Sequence, residues 1–124
     1  MESYRGPRSR LDDIAPYVTK DGSEIREMMH PAVQGNRAQS LAEATVAPGA
    51  ATTLHRHGET EELYHFTAGA GVMTLGGERF AVQAGDTVCV APGVPHRVEN
   101  TGTLRLKILC ACAPAYAHAD TELL

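Results

Sequence analysis

Two histidines one residue apart and a carboxylate five residues further on, His55, His57 and Glu62, form a constellation able to hold a metal ion. If residues 52–57 are extended, alternation sends both imidazoles to one face, roughly 6.5 Å apart along the chain. Two nitrogens can then reach one ion. Residues 58–61 are a short polar loop, and the apolar run after Glu62 (Leu63, Tyr64, Phe66) predicts an antiparallel strand that returns the carboxylate to the same place. In a chain with six histidines the pair alone is weak evidence. A distant fourth group strengthens it. Residues 87–90 read as a strand running into Ala91-Pro92-Gly93-Val94-Pro95, a turn stiffened by two prolines and given a positive φ by its glycine, which delivers His96. Three neutral imidazoles and one carboxylate leave a divalent ion at net charge +1, with positions free for water, oxygen or substrate. Iron, manganese, nickel, copper and zinc all suit these donors, so the residues do not name the metal.

With these residues the chain resembles the cupin superfamily, in particular its small single-domain bacterial members. Gly49, His55, His57, Glu62 and Gly69 match the first family motif, and Gly85, Gly93, His96 and Asn100 match the second, with Ala91 standing where the family has a proline. The spacer between them, residues 70–84, is short, as in small bacterial cupins. The resemblance implies an all-β fold, a small jelly-roll barrel of about 8–10 short antiparallel strands. It also implies one divalent metal per chain, held by His55, His57, Glu62 and His96, with iron or manganese preferred, and a homodimer.

The elements that must position these groups follow from the rest of the chain. At 124 residues it is one domain, large enough to bury about two-thirds of its unfolded surface. Residues 1–22 are polar and broken by Pro7, Pro16 and Gly22, so they are expected to be an N-terminal arm; residues 23–114 form the barrel and residues 115–124 a tail across its outside. Residues 23–29 suit a first strand and 38–46 another, with Leu41, Glu43 and Thr45 on one face and Ala42, Ala44 and Val46 on the other; which face points inward stays open. The Gly76-Gly77 link between two alternating runs predicts a hairpin. Residues 104–112 put Leu104, Leu106, Ile108, Cys110 and Cys112 on one face, which must be the buried one.

Composition limits the partners. A net charge of −4 without a basic stripe argues against nucleic acid and anionic membranes and leaves a small-molecule substrate. No run of eighteen apolar residues is present, the first residues lack the apolar core of a signal peptide, and three cysteines suit a reducing cytoplasm. Tyr64, Phe66, Ile108 and Cys110 are the candidate pocket residues. Cys112 and Cys89 read as packing residues, His65 as outward-facing, and Arg56 and Arg97 as turned away from the ligands they flank. The leading expectation is a dioxygenase-type oxidoreductase acting on a small organic acid, diketone or phenolic compound, with Glu62 able to serve as base. A redox-neutral metal-dependent isomerase, cyclase or lyase and a non-catalytic binding module are the alternatives, because one fold hosts many reactions.

Overall fold

Residues 61–68 alternate between exposed and buried along their length, and in the computed structural model, which describes residues 6–124, they form a strand with Glu62, Tyr64 and Phe66 facing inward. Residues 106–113 alternate in the same way and pair with them, setting Cys112 opposite Glu62, Cys110 opposite Tyr64 and Ile108 opposite Phe66. Shared register and shared period place six inward side chains on one continuous surface. Around this pair the described residues form eleven strands: β1 (Tyr17–Val18), β2 (Glu24–Met29), β3 (Ser40–Val46), β4 (His55–His57), β5 (Glu61–Ala68), β6 (Ala70–Leu75), β7 (Glu78–Gln83), β8 (Thr87–Val90), β9 (His96–Glu99), β10 (Leu106–Ala113) and β11 (Thr121–Leu123). Two antiparallel sheets result, ordered β1-β2-β3-β10-β5-β8 and β11-β4-β9-β6-β7, the all-β jelly roll that was expected. Among the described residues no helix is long and apolar enough to cross a membrane.

Between the sheets Phe66, Met73, Leu106, Ile108, Val90 and Val98 are buried almost completely. Each contributes roughly 1.5–3 kcal/mol relative to an exposed side chain. Within the second sheet β6 and β9 approach closely at Gly71, where a Cβ would stand 2.2 Å from the Glu99 carbonyl oxygen. Gly69 is fixed twice over, by a φ of +84° and by the Arg105 carbonyl oxygen, which a Cβ would approach to 2.8 Å. The hairpin at Gly76-Gly77 forms as predicted, with Leu75 opposite Glu78. β3 turns Ser40, Ala42, Ala44 and Val46 inward, while Glu43 meets Lys107 at 3.5 Å on the other side.

Several boundaries differ from expectation. Residues 1–5 of the expected arm lie outside the described residues. Tyr17 and Val18 pair with β2 as β1, and the turn that follows hydrogen-bonds to the loop before β4 through Thr53 N–H and the Asp21 carbonyl. The tail adds β11 to the edge of the second sheet, with Thr121 opposite His57. Pro114 does not prevent this, because β11 begins seven residues later and pairs with β4 in the other sheet. Leu104 is 69 % exposed rather than buried, since Asn100 Nδ2 donates to its carbonyl and holds it in the turn before β10. Cys89 is exposed on β8, the edge strand of the first sheet.

Candidate metal centre

β4 carries His55 and His57 on its buried face, and antiparallel pairing sets His55 opposite His96, the first residue of β9. Gly93, at φ +81°, and the hydrogen bond from its N–H to the His57 carbonyl join the second motif to the first. The ligating nitrogens of the three histidines lie within 4.8 Å of one another. Glu62 reaches over from the other sheet, its Oε1 3.2 Å from His57 Nε2 and 3.6 Å from His96 Nε2. All four side chains are buried. The sequence predicted this convergence, and the structure brings every member together.

Hydrogen bonds decide which nitrogen of each ring carries the proton. His55 Nδ1 donates to the Thr53 carbonyl at 2.7 Å and His96 Nδ1 to the Val94 carbonyl at 3.0 Å. Carbonyls only accept, so both rings carry their proton on Nδ1 and present a lone pair at Nε2. His57 Nδ1 lies 3.0 Å from Thr121 Oγ1, whose own hydrogen goes to the Ala117 carbonyl. The hydroxyl must therefore accept from His57 Nδ1–H, and Nε2 is again the free end.

The free ends face one another. His57 Nε2, His96 Nε2 and Glu62 Oε1 are buried without a hydrogen-bond partner. Buried polar atoms are normally paired, and lone pairs aimed at one point repel unless a cation lies between them. A divalent ion satisfies all three at once, and nitrogen and carboxylate donors suit it. His55, His57, Glu62 and His96 are the residues that would hold it. Burial pushes the Glu62 carboxyl upward, but the hydrogen bonds and charge that His57 and His96 supply when protonated at Nε2 in the metal-free protein outweigh it and hold the carboxyl down at about 2. Burial, and then His96, lower His55 below its ordinary value, which keeps that ring neutral and able to ligate.

The site matches the cupin domain family model over residues 42–112. The chain belongs to the cupin family. It is 50% identical over 117 residues to an uncharacterized protein of Methanocaldococcus jannaschii, with 94% of each chain covered. It is 26% identical over 117 residues to the tetracenomycin polyketide synthase protein TcmJ of Streptomyces glaucescens, with 90% of this chain and 78% of the relative covered. It superposes on the crystal structure of a predicted oxalate decarboxylase from Thermotoga maritima with a TM-score of 0.75 and 27% sequence identity, covering 85% of this chain and 96% of that one.

In this cupin the cavity above the ligands is lined by Tyr64, Ile108 and Cys110, among others. Phe66 does not line it; fully buried, it packs one step deeper, its ring 6.3 Å from that of Tyr64. Strand alternation puts Phe66 on the pocket face, but the face is long and only its upper part is open. His65 turns outward to Thr87, while Arg56 and Arg97 pair with Glu122 and Glu99 away from the centre. His30 binds the Tyr116 carbonyl.

Three residues at the centre were not recognised in the sequence. Cys112, read there as a packing residue, donates its thiol to Glu62 Oε2 at 3.2 Å and so turns Oε1 toward the histidines. Thr121, as described, orients His57. Asp21, in the turn between β1 and β2, brings its Oδ2 within 3.6 Å of His55 Nε2. Cys112 and Thr121 are the cross-strand neighbours of Glu62 and His57. Strand pairing was the signal for both, once register was known; Asp21 had none.

Proposed function

We propose that this cupin is a metal-dependent oxygenase acting on a small phenolic or diketone compound without a strongly anionic group. The composition of the pocket carries the reading. Its walls are largely apolar, with Ile25, Ala42, Ala44, Val46, Val98 and Ile108 among them, and none of the described lining residues is Lys or Arg. Its ionisable carboxyls are Asp21, Glu27 and Glu62. A substrate carrying a second carboxylate would meet these acids with no counter-charge, at a cost of several kcal/mol. The expectation of an organic acid is narrowed accordingly, and oxalate, named in the description of the Thermotoga protein, fits this pocket poorly.

When bound, the ion supplies Lewis acidity and, as iron or manganese, electrons for oxygen chemistry. The chain's own groups do the rest. Apolar walls exclude water and leave a substrate hydroxyl few competitors. Burial, reinforced by the charge of Glu62, keeps the Tyr64 phenol protonated as a donor. Glu62 Oε2, released from the Cys112 thiol, is placed to take a proton. Protein reconstituted with Fe(II) should consume oxygen with phenols or 1,3-diketones and not with oxalate; no uptake across such a panel removes the oxygenase reading.

A redox-neutral proton transfer, such as a cyclisation, is the second reading. The description of TcmJ as a polyketide synthase protein and the carboxylate of Asp21 on the pocket wall favour it. Turnover of the same compounds by Zn(II)-loaded protein without oxygen would select it. The expected homodimer belongs to the proposal, and light scattering that returns twice the chain mass supports it.

A further inference from the structure

The turn between β1 and β2 contributes a carboxylate that neither cupin motif contains. Asp21 Oδ1 accepts three hydrogen bonds, from Thr19 Oγ1 at 2.7 Å, Ser23 N–H at 2.9 Å and Ser23 Oγ at 2.6 Å. Its backbone carbonyl is also held, by Thr53 N–H at 2.7 Å. Three donors on one oxygen fix the rotation of the carboxylate and leave Oδ2 without a donor. That oxygen faces the cavity, 3.6 Å from His55 Nε2. The Thr53 carbonyl, one residue unit from the N–H that Asp21 holds, is the acceptor for His55 Nδ1. The turn and the ligand ring are thus locked to the same backbone segment.

Two carboxylate oxygens then bracket the histidines. Glu62 Oε1 stands beside His57 and His96, and Asp21 Oδ2 beside His55. Glu62 is turned by Cys112 to serve the ion. Asp21 is turned by Thr19 and Ser23 to leave one oxygen for whatever enters the cavity. His57 Nε2 and His96 Nε2, both in residues more than nine-tenths buried and without partners, point to the same space.

We propose that Asp21 is the specificity-determining residue of this pocket: its fixed Oδ2 accepts a hydrogen bond from an uncharged hydroxyl-bearing substrate held at the metal centre and repels anions that compete for the same place. This rests on the metal-centre reading above and deepens it by naming the residue that selects the substrate class. A carboxylate in a site with apolar walls and no lining Lys or Arg acts over several ångströms with little screening, so its charge alone discriminates between ligands of different charge. A hydroxyl donor gains a charge-assisted hydrogen bond there.

The test uses Co(II)-loaded full-length protein, whose visible absorption reports both metal uptake and ligands at the metal. Azide serves as the anionic probe and catechol as the uncharged one. Asp21→Asn keeps an oxygen for Thr19 and Ser23 while removing the charge; it should bind azide about tenfold tighter and catechol about tenfold weaker than the native protein. Asp21→Glu keeps the charge and should remain near native for both probes. A merely structural role predicts the reverse ranking, because Asn is the closer match in shape. Thermal melts of both variants establish that they are folded. Normal Co(II) uptake with azide and catechol affinities unchanged in Asp21→Asn, or with Asp21→Glu the more altered variant, overturns this inference alone. Native protein that takes up no Co(II), or His96→Ala protein that takes it up equally well, overturns the metal-centre reading and this inference with it.

Discussion

The inward face of β5 runs from Glu62 through Tyr64 to Phe66, and that of β10 from Cys112 through Cys110 and Ile108 to Leu106. At one end of these faces the side chains are hydrocarbon, closed and fully buried; at the other they are donors and acceptors around an open cavity. The period-two alternation is the same at the two ends, although the pairing of β5 with β10 shifts register between Lys107 and Ile108 at the closed one. What differs is how position is specified. Phe66 and Leu106 are held by many weak, non-directional contacts, any one of which is replaceable. Each ligand side chain is aimed by a single hydrogen bond, donated by the histidines to the Thr53 carbonyl, Thr121 Oγ1 or the Val94 carbonyl and by Cys112 to Glu62. The same two strands therefore carry stability at one end and chemistry at the other, and substitutions should separate the two.

The largest separation is expected at the extremes. Phe66→Ala should cost about 3–5 kcal/mol in chemical denaturation while the folded fraction keeps its affinity for Co(II). His96→Ala should leave a folded protein but weaken metal binding by more than about a hundredfold, a larger effect than the loss of an outer partner. If Phe66→Ala weakens the metal site as much as His96→Ala does, the two ends are one cooperative unit and the comparison fails.

Smaller effects test the hydrogen bonds that aim the ligands. Thr121→Val removes the acceptor for His57 Nδ1 and should lower metal affinity roughly 10- to 100-fold, with Thr121→Ser restoring it. Isothermal titration with Zn(II) would measure both. Cys112→Ala frees the Glu62 carboxylate to rotate and should weaken metal binding roughly two- to tenfold, while Cys112→Ser, which still donates, should remain near native. Equal loss in both Cys112 variants would make the thiol a volume filler and leave Glu62 aimed by something else.

The contrast between the two ends also explains what was legible in the sequence. Period-two alternation reads directly as a buried face, so β5, β10 and the β6–β7 hairpin were visible, and so were the motif ligands on short strands. Leu104 follows the same alternation yet lies in a turn, because a hydrogen bond from Asn100, unreadable without the fold, ends the pattern there. Phe66 was assigned to the pocket because alternation gives the face but not the depth along it. Thr121 and Asp21 lie 64 and 34 residues from the histidines they approach, and only strand pairing or turn docking brings them in. The sequence of an edge strand as short as β11, Thr-Glu-Leu, carries no periodic signal at all.

The smallest predicted effect lies in the pH dependence of the metal-free protein, and it too separates the two ends. Burial, together with His96, lowers the His55 imidazole below 6.5, whereas in the unfolded chain it returns to about that value. Between the lowered value and 6.5 the unfolded state binds more protons than the folded one, so stability rises with pH across that window and levels off above it. Glu62 acts in the same direction at lower pH: against the burial that pushes it up, His57 and His96 hold it at about 2 rather than 4.5, and its contribution is lost as pH falls from near 4.5 toward 2. Denaturation midpoints measured across pH should therefore climb in two steps. His55→Gln should flatten the upper step and leave the lower one. Phe66→Ala should displace the whole curve downward without changing either slope, because hydrocarbon removed from the closed end binds no proton in either state. A change of slope in Phe66→Ala would mean that loosening the core exposes the histidines to water, and the two ends would then share one packing transition.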